Sequence, residues 1–323
     1  MKKIIIVCMM LSIFAFAAAA NAATTYKLAE NQPPDYPTTI GDKEFARLVK
    51  EGTKGRIIID VQPGGVLGDE KSVIEAVQMG GLAFARVNAQ PLSDFYKPLM
   101  VFSLPFIFRN ADHQWKVLDG KVGDEVLDGM KSARMVGLAY YDSGSRNIYN
   151  SKKAIKKPAD LKGLKIRVQQ SELMMDMIKA LGASPTPMPY AEVYTGLQSG
   201  VIDGAENNWP SYYSTSHYEV APYITLNGHT MTPEVVIVSK AIWDKISPAD
   251  QKIIKEAARK SEAAQKKAWK AYEAKSINAI KKGGKNTITE VPDKKEFQKA
   301  VQPLYEKYGA DFKDLIKKIQ AIK

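Results

Sequence analysis

Residues 56–79, RIIIDVQPGGVLGDEKSVIEAVQM, hold a strand, a break and a helix in one sweep. Arg56–Val61 is a β-branched run of strand character, and Gly64-Gly65 interrupts it. From Asp69 to Met79 the apolar spacing changes to helical, with Asp69 placed to cap and with Val73, Ile74 and Val77 on one face. Leu82–Val87 then predicts the next strand and Met135–Tyr140 another. A strand–helix–strand rhythm calls for a largely parallel sheet, hence an α/β fold.

Beyond residue 150 the pattern resumes. The lysine-rich, Pro158-marked stretch Ser151–Gly163 is expected to be a crossing between two lobes. Lys165–Val168 (KIRV) predicts a strand, Ser171–Leu181 a helix, Ala183–Met188 an extended segment and Ala191–Ser199 a short helix. Val201–Glu206 and Val235–Ser239 (VVIVS) predict further strands. Ser247-Pro248-Ala249-Asp250 combines an N-cap serine, a first-turn proline and an acid three residues on. No glycine or proline follows until Gly283-Gly284, so a very long helix is expected there, one that leans across both lobes.

The chain opens on Lys2 and Lys3, an apolar run from Ile4 to Ala20, and Ala20-Asn21-Ala22. That order is a secretory leader, with cleavage expected before Ala23. Cys8 is the only cysteine and falls in the leader, so the exported chain is expected to lack disulfides and thiolate metal sites. The formal net charge is +11. The lysines concentrate in C-terminal helices and turns such as Lys152-Lys153 and Lys156-Lys157, a solvated face rather than a nucleic-acid stripe. A positive field can still attract anions.

Catalysis finds no support in the motifs. His113, His217 and His229 are isolated, and HExxH, GxSxG, GxGxxG and P-loop patterns are all missing from the sequence. Neither a cofactor nor a metal is expected. Arginine is more informative. Arg167 sits between Ile166 and Val168 in a strand, where a guanidinium is costly unless it meets an anion. Its planar fork suits a carboxylate, from a ligand or from an acid of the same chain. Arg146, in Gly144-Ser145-Arg146-Asn147, follows a strand and can point into a crevice at strand ends. In Glu206-Asn207-Asn208-Trp209-Pro210-Ser211-Tyr212 the asparagines offer donors and acceptors, with Asn208 also a candidate helix cap. Trp209 and Tyr212 offer flat faces for a sugar ring.

Taken in order, Pro63–Glu70, Leu104–Phe108, Gly144–Arg146, Leu161–Val168 and Pro189–Asn207 give a chain that resembles the DctP-type periplasmic solute-binding subunits of TRAP transporters. The resemblance implies a two-lobed periplasmic-binding-protein fold (type II-like) with the long C-terminal helix across its back. The expected division is residues 23–144 plus 233–272 against 145–232 plus 273–323. It further implies that Arg167 pairs with a ligand carboxylate, that Arg146 and Asn207 lie beside it, that Glu70 receives ligand hydroxyls, and that Tyr190 forms an aromatic wall. Asn31, after Glu30 at a first-strand end, and Asn88, in Arg86-Val87-Asn88, are further candidate lining residues. The Glu206–Tyr212 run with Arg86–Asn88 looks like the branch that binds sugar acids, glucuronate or galacturonate foremost. Asn31-Gln32-Pro33-Pro34 departs from that branch, which commonly has a histidine or a valine-rich turn there. The implied partners are a small organic acid and the membrane permease of an ion-gradient-driven transporter, with the receptor a periplasmic monomer. Rival readings are the binding protein of an ABC importer, a receptor for C4-dicarboxylates, a secreted sugar-acid lyase, and a DNA binder.

Overall fold

The computed structural model describes residues 23–323; the expected leader lies outside them. Eleven strands form two sheets among these residues. The first lobe holds β1 (Thr24–Ala29), β2 (Ile57–Gln62), β3 (Phe84–Asn88), β4 (Met135–Tyr141) and β10 (Glu234–Ser239), in the order β2-β1-β3-β10-β4. The second holds β5 (Arg146–Asn150), β6 (Lys165–Val168), β7 (Ser184–Pro187), β8 (Gly204–Asn207), β9 (Tyr223–Thr230) and β11 (Thr287–Glu290), in the order β11-β9-β5-β8-β6-β7.

Each sheet is parallel except for one reversed strand, β10 in the first and β5 in the second. These are the strands that follow the first two changes of lobe; the third runs through the long helix to β11, which is parallel to β9. The chain leaves β4 and enters β5 through residues 142–145, and leaves β9 and enters β10 through 231–233. The expectation of a crossing at Ser151–Gly163 is therefore corrected. That stretch joins β5 to β6 within one sheet and carries only a 3-10 turn at Pro158–Leu161. Its lysines and proline mark a solvated connection, which by composition cannot be told from a crossing. Gly144 lies in the true crossing with φ +59, its backbone close to Trp269; an L side chain there would be strained.

The KIRV stretch is β6, as its alternation predicts, and the proline-rich 184–187 segment is the edge strand β7, the sheet position that tolerates prolines. Asp69 caps the helix Glu70–Met79 by accepting from the amides of Lys71 and Ser72, and Val73, Ile74 and Val77 are its buried face. That helix start places Glu70 at the open end of the first sheet.

The long helix is continuous over Pro248–Gly283, and Ser247 caps it by accepting from the Asp250 amide. At 36 residues it extends about 54 Å at 1.5 Å per residue. Its first half packs Ile254 and Ala257 with Phe45, Val49 and Phe84 against the first sheet. Burying each of Ile254, Phe45, Val49 and Phe84 contributes about 1.5–3 kcal/mol. Its far end places Ile280 among Tyr149, Tyr212 and Ile224 of the second lobe. Gln265 fastens its middle by donating to the Asp142 carbonyl and accepting from the Asp142 amide, both at 2.8 Å. None of the described helices is long and apolar enough to cross a membrane.

Candidate functional site

Both sheets direct strand ends and their following loops at a shared cleft, the place where open α/β sheets present ligand-binding groups. The cleft contains a cavity of about 160 Å³ lined by Asn31, Glu70, Arg167, Gln169 and Tyr190 among others. It continues inward past Tyr36, Arg86, Arg146, Asn207 and Glu234. This is below the roughly 300–1,000 Å³ of pockets for drug-sized molecules, so the occupant is small. A larger groove of about 650 Å³ at the far end of the long helix is lined by Tyr213, Tyr218 and Asn286 with the charged Glu219 and Lys285; it contains no arginine.

Arg167 decides the character of the cleft. Its guanidinium is buried, yet its Nε and Nη2 donate only to the Met188 carbonyl, at 2.9 and 2.7 Å. No carboxylate among the described residues comes within 4.0 Å of it. Of the two partners open to this strand arginine, an acid of the chain is therefore not the one in place. Burial pushes its pKa down, since the charge has lost water without gaining an anion.

Arg146 takes the opposite arrangement. Its Nε and Nη2 meet the Glu206 carboxylate at 2.5 and 2.8 Å, and its Nη1 donates to Asn207 Oδ1 at 2.9 Å. The antiparallel register of β5 and β8, with Asn147 opposite Asn207 and Ile148 opposite Glu206, sets up this pair. Burial works to raise the pKa of Glu206, but Arg146 and the His229 ring overcome it and bring the value down to about 2. His229, itself kept neutral by burial, donates from Nε2 to Glu206 at 3.2 Å. This wall thus holds two guanidiniums and one carboxylate, which Arg146 takes, leaving one positive charge on Arg167.

On the opposite wall Glu70 accepts from the Asn88 amide at 2.8 Å and, across the cleft, from Gln169 Nε2 at 3.0 Å. Burial first, and the charge of Glu234 second, push its pKa up to about 7. Arg86 is enclosed by Glu30, by Glu234 at 2.6 Å and by Asn31 Oδ1 at 2.5 Å. Tyr190 lines the cavity with a buried hydroxyl that lacks a hydrogen-bond partner. The side-chain oxygens of Gln32 and Gln169 are likewise buried and unpartnered.

The structure therefore brings Arg167, Arg146, Asn207, Glu70, Tyr190 and Asn31 together. It does not place Trp209 or Asn88 in the lining. Trp209 packs edge-on to Tyr212 at 6.2 Å in the second-lobe core with Val193 and Leu197. Asn88 caps the turn at Ala89 and donates to Glu234 at 2.8 Å, supporting the wall from behind. Asn208 is the helix cap, accepting from the Ser211 amide. His113 and His217 are committed within the fold: His113 meets the Ile319 carbonyl, and His217 meets the Tyr149 hydroxyl with its pKa lowered to about 3 by burial. Sequence reasoning missed Tyr36, Gln169 and Glu234. Gln169 directly follows the KIRV strand and Glu234 directly precedes VVIVS, so position at a strand end was the available signal. Among the described residues no cluster of histidine, cysteine and carboxylate side chains is grouped to hold a metal.

Comparison with known proteins fits this architecture. The model of the family "DctP: Bacterial extracellular solute-binding protein, family 7" matches residues 28–311. A crystal structure of a TRAP periplasmic solute-binding protein from Bradyrhizobium, in complex with α/β-D-galacturonate, is 44% identical, with a TM-score of 0.90 and coverage of 92% of this chain and 99% of that one. One from Pseudomonas putida F1, with bound D-glucuronate, is 39% identical, with a TM-score of 0.90 and coverage of 93% and 98%. The 2,3-diketo-L-gulonate-binding periplasmic protein of Escherichia coli is 31% identical over 95% of each chain. With a family match that runs through both sheets and the long helix, the chain belongs to the DctP family of extracellular solute-binding proteins, a family of transporter receptors and not of enzymes.

Proposed function

We propose that this protein is the periplasmic receptor of a TRAP transporter and that it captures a hexuronate, galacturonate or glucuronate, by docking the carboxylate on Arg167. The observation that carries this reading is the buried Arg167 guanidinium, whose Nη1 has no protein partner while the cavity lies against it. The surrounding groups suit a polyhydroxylated acid: Glu70 and the unpartnered oxygens of Gln32 and Gln169 accept from hydroxyls, and Asn207 retains its amide donors because only its Oδ1 is occupied. Solved relatives that hold galacturonate and D-glucuronate support the same ligand class. Tyr190 covers the ring, and Arg146 contributes its remaining Nη1 hydrogen.

Function requires the protein to open and close. The lobes, residues 23–144 plus 233–272 and 145–232 plus 273–323, move by hinge closure about the crossings at 142–145 and 231–233 and the third crossing within the long helix. Closing removes water from the Arg167–carboxylate pair and strengthens it. The receptor is exported after cleavage before Ala23, acts as a monomer, and delivers its solute to the permease of an ion-gradient-driven transporter.

Isothermal titration with D-galacturonate, D-glucuronate and succinate tests this reading. The wild type binds at least one uronate more tightly than succinate. Arg167→Ala lowers that affinity by about 2–5 kcal/mol, the cost of stranding a buried charge, or roughly 30- to 5,000-fold. Unchanged affinity in Arg167→Ala, or no uronate binding by the wild type, refutes it.

A further inference from the structure

The two walls of the cleft carry opposite charge. The Arg167 side carries two guanidiniums and one carboxylate: Glu206 is paired with Arg146, while Arg167 meets only the Met188 carbonyl. On the other side Arg86 is the one guanidinium among the lining residues, and it faces Glu30, Glu234 and, at 3.8 Å, Glu70. Counted formally, that wall carries two negative charges in excess. A further buried carboxyl, Asp42, stands behind it with neither oxygen hydrogen-bonded.

The walls are also close. The Glu70–Gln169 hydrogen bond of 3.0 Å bridges them, and Gln169 is two residues from Arg167. A ligand short enough to fit lies with one end in the positive field and the other in the negative one. At the negative end the unpartnered atoms Gln32 Oε1 and Gln169 Oε1 are acceptors, like the carboxylates beside them. An O–H group satisfies such a lining. A second carboxylate presents only acceptors to it and adds charge repulsion, in a site where burial makes both more costly than in water. The Glu234 charge already acts on Glu70 in this way, helping burial to hold Glu70's pKa high.

We infer that the acidic wall built by Glu70, Glu234 and Glu30 is a specificity filter, which admits sugar acids with one carboxylate and rejects diacids of the same length. The inference rests on the sugar-acid reading above and goes beyond it by naming what the receptor excludes and which residues exclude it. Uronates and the corresponding aldarates supply the comparison. They share a carbon skeleton and most stereocentres, and differ in whether C1 is an aldehyde or hemiacetal carbon or a carboxylate. Because an aldarate cannot close the uronate's pyranose ring, the change of their affinity ratio on Glu70→Gln, and not the wild-type ratio alone, isolates the charge. Glu70 is the residue to test, because it lines the cavity itself while Glu30 and Glu234 are committed to Arg86.

The experiment is titration of the mature protein at pH 8, where Glu70 is ionised, with D-galacturonate and galactarate and with D-glucuronate and D-glucarate. The wild type is expected to bind the aldarate at least 100-fold more weakly than its uronate. In Glu70→Gln, with folding verified by its melting curve, the ratio is expected to shrink at least tenfold, chiefly through gain of aldarate affinity. Aldarate binding within fivefold of the uronate in the wild type overturns the filter and leaves the sugar-acid reading standing. So does an unaltered ratio in folded Glu70→Gln. Failure of the wild type to bind either uronate overturns both.

Discussion

Replacing Glu206 with glutamine keeps the shape of the second-lobe wall and removes its one carboxylate, the partner of Arg146. Glu206 is fully buried, and it accepts from Arg146 Nε at 2.5 Å, from Arg146 Nη2 at 2.8 Å and from His229 at 3.2 Å. Removing one partner of a buried ion pair costs about 3–5 kcal/mol because the other charge stays behind. The titration of Glu206 gives a separate route to the magnitude. Its pKa falls from 4.5 to about 2 in the fold, and each unit is worth about 1.4 kcal/mol, so the carboxylate contributes on the order of 3 kcal/mol. Because the folded pKa is the lower one, this stability is present above pH 4.5 and is lost as pH falls toward 2. Urea unfolding of ligand-free Glu206→Gln at pH 7 is expected to show a loss of about 3–5 kcal/mol, and the acid limb between pH 4.5 and 2 is expected to flatten. A loss under 1 kcal/mol, or an acid limb as steep as the wild type's, would show that Arg146 does not depend on Glu206.

Gly41 lies where the helix Pro37–Gly52 meets the long helix, and a Cβ there would sit 2.8 Å from both Gln265 Cβ and the Tyr141 ring. Gly41→Ala is expected to destabilise by about 1–3 kcal/mol through overpacking, read by thermal melting; an unchanged melting temperature contradicts that contact. Ser247→Ala removes the cap of the long helix and is expected to cost about 1 kcal/mol in denaturant unfolding, whereas Ser247→Asp is expected to be neutral. Glu70 titrates in the opposite sense to Glu206. Its folded pKa of about 7 exceeds the ordinary 4.5, so its contribution is fully present below pH 4.5 and is lost as pH rises through 7. Ligand-free wild type is therefore expected to lose on the order of 1–3 kcal/mol between pH 5 and 8, with Glu70→Gln losing measurably less; equal slopes for the two proteins would count against a strained Glu70.

Much of the scaffold can be read locally because its signals are local. RIIIDV, KIRV and VVIVS are short runs rich in β-branched residues, the local mark of a strand, and Ser247-Pro248 with an uninterrupted helical stretch fixes the long helix at both ends. Strands β1 (TTYKLA) and β9 (YITLNGHT) mix polar and apolar residues and show no comparable run, so pairing rather than propensity makes them strands. The arginines show where local reading stops. Arg146 and Arg167 both lie on buried strands, and nothing in their immediate neighbours says which receives an internal acid. The β5–β8 register awards Glu206 to Arg146 and leaves Arg167 with a backbone carbonyl. The same kind of non-local choice turns Trp209 into the core and makes Asn88 a cap, although both stand in stretches whose neighbours, Asn207 and Arg86, do line the cleft.

The free hydrogens of Arg167 Nη1 are where the whole account can be checked at atomic level. A crystal structure of the protein grown with D-galacturonate or D-glucuronate is expected to place the sugar carboxylate on Arg167 at hydrogen-bond distance, about 2.7–3.0 Å, with a sugar hydroxyl on Glu70. A carboxylate seated against the first-lobe wall, or a uronate bound elsewhere with Arg167 still facing only Met188, would contradict it.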